Sequence, residues 1–537
     1  MERAFFAHIT INFCHFCFAL PRIPWYTIDR VIVMNWYIGI DIGTTNIKAA
    51  AYCPDRSDLP NMLHESEPTP KTYPSGTGAY EYDADALFNT CVRVLARLTA
   101  RLEHPHVRAI AVSSMAESGV LLGQEGRPLS TSIAWFDPRT LPQAEALSAL
   151  LGREHIYEIT GQLCSNKFGL TKLLWYRQNL PALFADAHHW LSINDYILYR
   201  LSGELVCDYS IASRTMAFDI HTLRWSDEIL AAAQLPRSMF PQAVPGATKV
   251  GMLRPELAAA LGLREPPAVV TGGHDHACAA VGAGTIVPGS VLDSMGTSEV
   301  AVFPTDKAIT SPTLYAAQAN IYPHCSDTLY RILTSIQACG ASINWFLDTL
   351  GREIGNEAAA AGIDAYTRLQ ETAEACGECP ELQYYPFLRG SQKYPDAGGV
   401  FLGFRDCHTT AHFSKALLDG LCCEFSYQTG LLTSALGQEI RSITAVGGPT
   451  RSSYLMQRKA SISGIELRCP DCQESAAFGA ALLGSVGCGD QTFSQIRQIA
   501  SGLPARVWHP CTNEQIETAK RTYCSRRDMI ERCFHYR

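Results

Sequence analysis

The architecture of this chain follows from one stretch, Trp36-Tyr-Ile-Gly-Ile-Asp-Ile-Gly-Thr-Thr-Asn-Ile-Lys-Ala-Ala-Ala-Tyr52. Its apolar residues alternate with small or polar ones, which predicts a buried strand, and Gly43-Thr44-Thr45 predicts a hairpin turn into a second strand. The same pattern returns at Ser290-Val-Leu-Asp-Ser-Met-Gly-Thr-Ser-Glu-Val-Ala-Val-Phe303, where Gly296-Thr297-Ser298 corresponds to the first turn. Two such hairpins, each opening half of a long chain, indicate a duplicated fold with opposed turns across a cleft.

The first turn carries groups that suit phosphates and a metal ion. Backbone N–H groups at Gly43 can cradle phosphate oxygens, the hydroxyls of Thr44 and Thr45 add donors, and Lys48 adds positive charge. Asp41 is a carboxylate that can hold a hydrated Mg²⁺ against those phosphates. An ordinary hairpin with an aspartate at its mouth is the alternative that this stretch alone leaves open.

Asp275 lies between two histidines in a second informative stretch, Thr271-Gly-Gly-His-Asp-His-Ala-Cys-Ala-Ala-Val-Gly-Ala-Gly284. The β-branched run 267–271 predicts a buried strand, and Gly272-Gly273 predicts the turn after it. Asp275 would then stand at the carboxyl edge of a sheet, where open α/β folds place their ligands. The alternative is an aspartate that N-caps a helix over 277–283.

Another polar group follows the strand predicted at 107–113. Glu117 and Asp137 stand at the ends of β segments, and Trp135 and Phe136 supply flat apolar surface. Carboxylates accept hydrogen bonds from hydroxyls while aromatic faces cover C–H groups, so this combination suits a polyhydroxylated ligand. Two solvated loop acids are the alternative interpretation.

The second half ends with Ile443-Thr-Ala-Val-Gly-Gly-Pro-Thr-Arg-Ser-Ser-Tyr454, which predicts a strand, a turn and a helix start. Gly447 and Gly448 would let a flat ring approach the backbone. The small-residue run 474–484 predicts a helix on which another element packs closely. Ordinary tight packing of a helix against a sheet would give the same patterns.

The composition fits a soluble globular chain of more than one domain, with 537 residues, a net charge of -8 and 47% hydrophobic residues. The acidic balance argues against non-specific nucleic-acid binding. The 20 cysteines are scattered through apparent core segments, so we expect mostly reduced thiols. Three C-x-x-C pairs occur at 14/17, 376/379 and 469/472, and the last two lie too far apart for a compact zinc ribbon.

The first 33 residues are interpreted separately. The apolar run from Ala4 to Leu20 has only Glu2 and Arg3 before it and contains histidines and cysteines, which argues against a signal peptide or a membrane span. We interpret 1–33 as an extension that the fold does not need, and an uncleaved targeting segment is the alternative. We therefore expect a cytoplasmic protein without a membrane partner.

The order of motifs resembles that of the FGGY carbohydrate kinases, a family within the actin/hexokinase/heat-shock ATPase superfamily. The resemblance runs from about Trp36 to about Gly484 and rests on five stretches: Gly39-Ile-Asp-Ile-Gly-Thr-Thr45, Met115-Ala-Glu117, Gly272-Gly-His-Asp-His276, Met295-Gly-Thr-Ser298 and Gly447-Gly-Pro-Thr-Arg-Ser452. It implies an α/β fold of two RNase H-like domains, with a sugar-binding domain over 34–284 and an ATP-binding domain over 285–537.

The resemblance also implies roles for single residues. Asp275 is expected as the catalytic base and Asp41 as the magnesium-side carboxylate. Sugar contacts are expected at Ala116, Glu117, Asp137 and His276. ATP and phosphate contacts are expected at Gly43, Thr44, Thr45, Lys48, Gly296, Thr297, Gly447, Gly448 and Ser452. Two positions depart from the family, since Ser461 replaces an aspartate of the adenosine helix and Ala116 replaces a Met or Arg.

The expected reaction is transfer of the ATP γ-phosphoryl group to a hydroxyl of a small sugar or polyol, such as a pentulose, a tetritol or an aldonate. Mg²⁺ and the two turns would hold the phosphates, and Asp275 would accept the hydroxyl proton. The alternatives are a kinase-like sensor and a nucleotide-driven conformational protein without sugar turnover. Neither the sugar nor the oligomeric state follows from the sequence, and a homodimer stays open.

Overall fold

A computed structural model describes residues 34–56, 62–73, 79–103, 105–391, 393–511 and 513–534. The interpretations of 1–33 and of the 14/17 cysteine pair lie outside these residues. The strands are β1 (Met34–Ile42), β2 (Asn46–Tyr52), β3 (Leu63–Pro68), β4 (Glu81–Tyr82), β5 (Pro105–Ser114), β6 (Gly119–Leu122), β7 (Ser132–Ile133), β8 (His189–Ser192), β9 (Val206–Asp208), β10 (Phe218–Asp219), β11 (Arg224–Trp225), β12 (Gln242–Val244), β13 (Lys249–Met252), β14 (Ala268–His274), β15 (Ser290–Met295), β16 (Glu299–Thr305), β17 (Asn320–Pro323), β18 (Tyr330–Ile336), β19 (Gln383–Tyr385), β20 (Val400–Leu402), β21 (Ser442–Gly447), β22 (Leu467–Pro470) and β23 (Ala505–Trp508).

The α-helices of the described residues connect and cover these strands. They are α1 (Ala84–Thr99), α2 (Leu141–Leu151), α3 (Arg153–Thr160), α4 (Gly169–Asn179), α5 (Pro181–Ala185), α6 (Ile193–Ser202), α7 (Tyr209–Ala212), α8 (Asp227–Ala232), α9 (Pro255–Ala260), α10 (Asp275–Gly282), α11 (Pro312–Ala316), α12 (Gly340–Asp348), α13 (Arg352–Ala361), α14 (Ala365–Ala375), α15 (Thr410–Leu436), α16 (Ser453–Ser463), α17 (Ser475–Gly487), α18 (Phe493–Ser501) and α19 (Glu514–Arg532).

Two large sheets share one topology. The first has the order β13-β14-β5-β1-β2-β3 and the second the order β17-β18-β16-β15-β21-β22-β23. In the first, β1, β2 and β3 are antiparallel neighbours, whereas β5 and β14 run parallel to β1. In the second, β15, β16 and β18 are antiparallel neighbours, whereas β21 and β22 run parallel to β15. This confirms the duplicated α/β fold that the two hairpins predict.

The predicted hairpins open the two sheets. β1 and β2 are joined by the turn at 43–45, and β15 and β16 by the turn at 296–298. Ile38, Ile40 and Ile42 are fully buried, because β1 lies at the centre of its sheet with a neighbour on each side. The opposite face is covered by α17, since a Cβ on Gly39 would lie 1.9 Å from the carbonyl O of Ala477, so the small residues of the alternation face a helix at close contact and not solvent.

Helices α10 and α17 hold the two sheets together. α10 follows β14, and α17 follows β22, the corresponding strand of the other sheet. A Cβ on Gly282 would lie 2.1 Å from the carbonyl O of Ser475, and a Cβ on Gly479 would lie 1.8 Å from that of Cys278. The small-residue helix predicted over 474–484 is confirmed, and its glycines permit backbone contact that a side chain would prevent.

The turn predicted at Gly272-Gly273 is wrong, because β14 continues through both glycines to His274. A Cβ on Gly272 would lie 2.4 Å from the carbonyl O of Val112 on β5, so the glycine allows the two strands to approach closely. Gly273 has φ +142° and follows a shift in register between the strands. The pair therefore bends a strand, and α10 begins directly at Asp275 with His274 as its N-cap.

The apolar pattern of 190–203 predicts a single amphipathic helix closed by Gly203, and the structure moves the start of that helix. Trp190 and its neighbours belong to β8, which pairs antiparallel with β6, instead of forming the start of a helix. α6 begins at Ile193, where Ser192 and Asp195 form a reciprocal capping box, and it ends at Gly203 with φ +94°. The cap therefore places the helix start three residues later than its apolar pattern suggests.

Candidate active site

Three parallel strands end side by side at one edge of the first sheet. On β5, Ser113 is paired with Asp41 of β1 and with Gly273 of β14. The hydroxyl of Ser113 donates a hydrogen bond of 3.1 Å to Oδ1 of Asp41. Asp275 follows the end of β14, so the topology brings the two predicted carboxylates to the same carboxyl edge.

Two histidines and a helix N-terminus surround Asp275. Its Oδ1 lies 2.9 Å from Nδ1 of His274 and accepts a hydrogen bond of 2.6 Å from the backbone N–H of His276. Burial acts to raise the pKa of Asp275, whereas the charge that His276 and His274 carry when protonated and the hydrogen bonds from protonated His274 and this N–H act to lower it, and the net shift of the pKa is downward. Asp275 is therefore ionised at physiological pH, and its side chain keeps 30% of its surface exposed.

The histidines themselves are neutral. Burial lowers the pKa of His274 to about 3, and burial also lowers the pKa of His276. The backbone N–H of His276 also donates a hydrogen bond of 3.2 Å to Nδ1 of His274, so Nδ1 of the neutral ring is an acceptor and the ring proton lies on Nε2. His274 thus caps α10 beside Asp275 without adding a charge to the site.

Asp41 is a carboxylate that lacks sufficient compensating charge. Burial and the negative charge of Asp275 raise its pKa to about 7, although Lys48 and the Ser113 hydroxyl act in the opposite direction. Nζ of Lys48 lies 2.6 Å from Oε2 of Glu474, the residue that precedes α17. The phosphate contact expected of Lys48 stays a prediction, and in this structure the ammonium pairs with the second half of the chain.

The first turn is fixed from outside the hairpin. Thr69 donates hydrogen bonds to both ends of the turn, from its hydroxyl to Gly43 O at 2.7 Å and from its N–H to Thr45 O at 2.9 Å. The hydroxyl of Thr44 accepts a hydrogen bond of 3.2 Å from the indole N–H of Trp135. The threonines therefore face different surroundings, with Thr45 exposed and Thr44 against an aromatic wall.

Glu117 is held by a buried arginine. It follows β5 in the left-handed region with φ +64°, a conformation that residues other than glycine rarely adopt. Nη2 of Arg214 donates a hydrogen bond to Oε1 of Glu117, and their side chains are 12% and 4% exposed. The guanidinium of Arg214 lies 4.4 Å from the ring centroid of Tyr322, a residue of the second half.

Arg214 also interacts electrostatically with Asp275. Burial lowers the pKa of Arg214, while Tyr322 and the charge of Asp275 act to raise it. Glu117, Arg214 and Asp275 therefore form one charged group at the sheet edge, with a single cation among the three.

Two expected sugar-binding residues are buried. Asp137 is 2% exposed, and its carboxylate accepts hydrogen bonds from Arg139 at 2.8 Å and from the N–H of Tyr80 at 3.0 Å. Ala116 is 1% exposed. Direct sugar contacts at both stay predictions, whereas His276 is half-buried beside Asp275.

A cavity of about 520 Å³ in the second half brings four of the expected ATP-binding residues together. Its lining includes Gly296, Thr297, Gly448 and Ser452. Gly447 lies beneath them with φ +105°, where a Cβ would be 2.0 Å from the carbonyl O of Met295. Close contact with the hairpin strand thus explains Gly447, whereas Gly448 opens onto the cavity.

The second turn is anchored to a helix start. The carbonyl O of Thr297 accepts hydrogen bonds from the N–H groups of Cys339 at 3.0 Å and Ala341 at 3.1 Å, and Gly296 O accepts from Gly340 at 3.0 Å. α12 begins at Gly340. The carbonyl groups of the turn therefore satisfy the first N–H groups of α12, and these bonds fix the turn where it lines the cavity.

Sequence reasoning missed several residues of this arrangement. Arg214 and Glu474 are separated by many residues from the groups that they pair with, and no local pattern marks either one. The cavity residues Asn344, Tyr366 and Arg451 lie on helices or turns without a repeated motif. Arg451 alone had a signal, since it lies within the glycine-rich turn at 447–452.

No helix of the described residues has the length and apolar character that crossing a bilayer requires.

Residues 36–282 match the N-terminal domain of the FGGY family of carbohydrate kinases, and residues 292–488 match the C-terminal domain of that family.

Known relatives agree with these matches. A xylulose kinase from Staphylococcus epidermidis is 28% identical over 470 residues, which cover 85% of this chain and 89% of the relative. A gluconokinase from Bacillus licheniformis is 26% identical over 460 residues, which cover 85% and 88%. The crystal structure of xylulose kinase from Rhodospirillum rubrum superimposes with a TM-score of 0.83 at 26% identity. The superposition covers 93% of this chain and 100% of that structure. Together with the duplicated sheets and the carboxylate edge, the two domain matches show that this chain belongs to the FGGY family of carbohydrate kinases.

Proposed function

We propose that this kinase transfers the γ-phosphoryl group of ATP to a hydroxyl of a small neutral sugar or polyol, with Asp275 as general base. The observation that carries the proposal is the state of Asp275, an ionised carboxylate with 30% of its side chain exposed beside Asp41 and the Glu117–Arg214 pair. A carboxylate held in this way has a fixed orientation and an open face for a hydroxyl.

The low pKa of Asp275 agrees with this role. In phosphoryl transfer the bond to the leaving oxygen is largely broken before the attacking hydroxyl gives up its proton, so the base acts mainly by position. His274 and the N–H of His276 both contact Oδ1 of Asp275. This arrangement leaves Oδ2 for the substrate, and proton acceptance is worth about 10²–10⁴-fold in rate.

The cavity at the second turn suits a nucleotide. Its volume of about 520 Å³ lies in the range of small-molecule sites. Gly448 offers bare backbone to a flat ring, while Gly296 and Thr297 present the second turn to phosphates. We assign ATP to this cavity and its terminal phosphate to the side of the first turn at 43–45.

Asp41 suits a hydrated Mg²⁺. Burial and a neighbouring negative charge raise its pKa to about 7, which identifies a carboxylate that a nearby cation would stabilise in its ionised form. Asp41 would hold the ion, and Mg²⁺ bound there neutralises phosphate charge. Lys48, at 2.6 Å from Glu474, keeps the neighbouring α17 N-terminus close to the same turn.

The charge of the sugar side favours a neutral acceptor. An aldonate would bring a carboxylate beside Asp275 and Glu117, and repulsion between like charges disfavours such a ligand. Of the cations near this edge, three form ion pairs, whereas the fully buried Arg331, whose charge acts on His274 and His276, has no carboxylate partner among the described residues. The ion pairs are Arg214 with Glu117, Lys48 with Glu474, and Arg139 with Asp137 and Glu81. Because Arg331 is fully buried and offers no surface to a ligand, the groups that face the acceptor are the carboxylates, and we assign a ketose or polyol in preference to an aldonate.

The experiment is ADP release from Mg-ATP with a panel of pentuloses, tetritols and aldonates, for the wild type and Asp275→Asn. We expect the variant to bind nucleotide normally and to lose sugar phosphorylation by about 10²–10⁴-fold. Asp306→Asn, at an exposed position, is the matched control and should keep full activity. Turnover close to wild type in Asp275→Asn would contradict the assignment of the base. ATP hydrolysis that no acceptor stimulates would instead favour the sensor or conformational alternative.

A further inference from the structure

Two segments meet at an edge of the second half, away from the site described above. β19 and β20 pair antiparallel with Gln383 opposite Leu402, which places the residues before β19 next to those after β20. The contact is close, since a Cβ on Gly403, whose φ is +90°, would lie 2.1 Å from the carbonyl O of Glu381. The strand pairing therefore fixes the segment 376–381 against the loop 403–409.

Three metal-binding side chains converge where these segments meet. Nε2 of His408 lies 3.5 Å from Sγ of Cys379 and 3.6 Å from Oε1 of Glu381. The three ligand atoms all lie within 4.8 Å of one another. In a tetrahedral zinc site the bond lengths place neighbouring N, O and S atoms about 3.3–3.8 Å apart. Both measured distances fall in this range.

A fourth ligand is available at the spacing that zinc sites use. Cys376 follows the last residue of α14 as its C-cap and precedes Cys379 by three positions, as in a C-x-x-C pair. Its side chain is half-buried and lies outside the group of three converging atoms. Rotation of this side chain toward Cys379 would complete a set of two sulfurs, one nitrogen and one oxygen.

We propose that Cys376, Cys379, Glu381 and His408 bind one Zn²⁺. Thiolate and imidazole ligands in a tetrahedral arrangement select zinc over magnesium or calcium, which prefer oxygen ligands. The ion would tie the end of α14 to the start of α15. Both helices contribute residues to the nucleotide cavity, among them Tyr366 and Leu418, so the site would stabilise one wall of that cavity.

Binding requires a defined movement of protons. The thiol groups of Cys376 and Cys379 each release a proton to solvent as the zinc–sulfur bonds form. His408 accepts a hydrogen bond of 2.9 Å from the N–H of Arg405 at Nδ1, which leaves the ring proton on Nε2. On metal binding Nε2 loses its proton, Nδ1 gains one from solvent, and the N–H of Arg405, which lies in an exposed turn, turns away.

The test is metal content and affinity of the full chain, purified under reducing conditions without an affinity tag. We expect one equivalent of zinc by elemental analysis. We also expect a sulfur-to-cobalt charge-transfer band when the apoprotein is titrated with Co²⁺. Cys379→Ser and His408→Gln should each weaken Zn²⁺ binding by at least about 100-fold, which is more than loss of an outer-shell partner costs.

Because the chain has many other thiols, a matched control is needed. Cys511→Ser removes an exposed cysteine elsewhere and should leave zinc content and affinity unchanged. Cys376→Ser should weaken binding and reduce the cobalt–sulfur band. Wild-type protein that binds less than stoichiometric zinc, or Cys379→Ser and His408→Gln variants that bind zinc as tightly as the wild type, would overturn the proposal. Sugar phosphorylation is not part of this readout, so the result is independent of the proposed substrate.

Discussion

Glu117→Gln should change which acceptors this kinase uses. In the wild type, Glu117 is 4% exposed at its side chain and is paired with Arg214, which is 12% exposed. The substitution keeps the size and a hydrogen-bond acceptor but removes the negative charge. The charges of Arg214 and Asp275 then balance, so the net negative charge of this group is removed and an aldonate carboxylate meets less repulsion there.

The magnitude follows from the charges. Two unit charges about 5 Å apart interact by about 3 kcal/mol at an effective dielectric constant of about 20. Because the cleft is open to water, we take half of this as the lower bound. The preference for an aldonate over the neutral sugar, measured as the ratio of their kcat/KM values, should therefore rise about 10- to 150-fold. This change corresponds to about 1.5–3 kcal/mol.

The assay is coupled ADP release with a ketose and the aldonate of equal carbon number, at fixed ionic strength. Glu67→Gln is the matched control, since Glu67 forms surface pairs with Arg93 and Arg97 on β3, four strands away from β14 in the sheet. A thermal melt of each variant separates a change in selectivity from a loss of folding. A ratio that Glu117→Gln leaves within about twofold of the wild type, or a wild type that already prefers the aldonate, would refute the charge argument.

Three further predictions concern stability. The pKa of Asp41 is raised to about 7 by burial and Asp275, so the contribution of Asp41 to stability falls as pH rises from about 4 to about 7. The gain in melting temperature on Asp41→Asn should therefore be clearly larger at pH about 8 than at pH about 5. Equal melting differences at the two pH values would contradict this. Lys459→Met removes the cation from a fully buried pair of carboxylates and should cost about 3–5 kcal/mol by urea unfolding, whereas the exposed Lys307→Met should be near neutral. Gly479→Ala would place a Cβ 1.8 Å from a backbone oxygen and should lower the free energy of unfolding by at least about 1–3 kcal/mol. Gly430→Ala is the control within a helix, where the added Cβ meets nothing within 4 Å, and it should be neutral or stabilising. Equal effects of these two substitutions would refute the close packing of α10 on α17.

Local patterns were sufficient for the hairpins and the duplication. The alternation of apolar residues in Trp36–Tyr52 and its repeat in Ser290–Phe303 predicted the two sheet-opening hairpins, because a side-chain period of two and a glycine turn are properties of the chain itself. The positions of two carboxylates were predictable for the same reason. Asp41 lies within a recognisable strand, and Asp275 follows one.

Tertiary structure decided which charges meet. Arg214 pairs with Glu117, and Lys48 pairs with Glu474 across the two halves, although these partners are distant in sequence. The Gly272-Gly273 pair predicts a turn by its composition, yet the neighbouring backbone of Val112 requires glycine within a continuing strand. Local sequence specifies backbone preference, whereas pairing energies and steric limits depend on which distant groups the completed fold brings into contact.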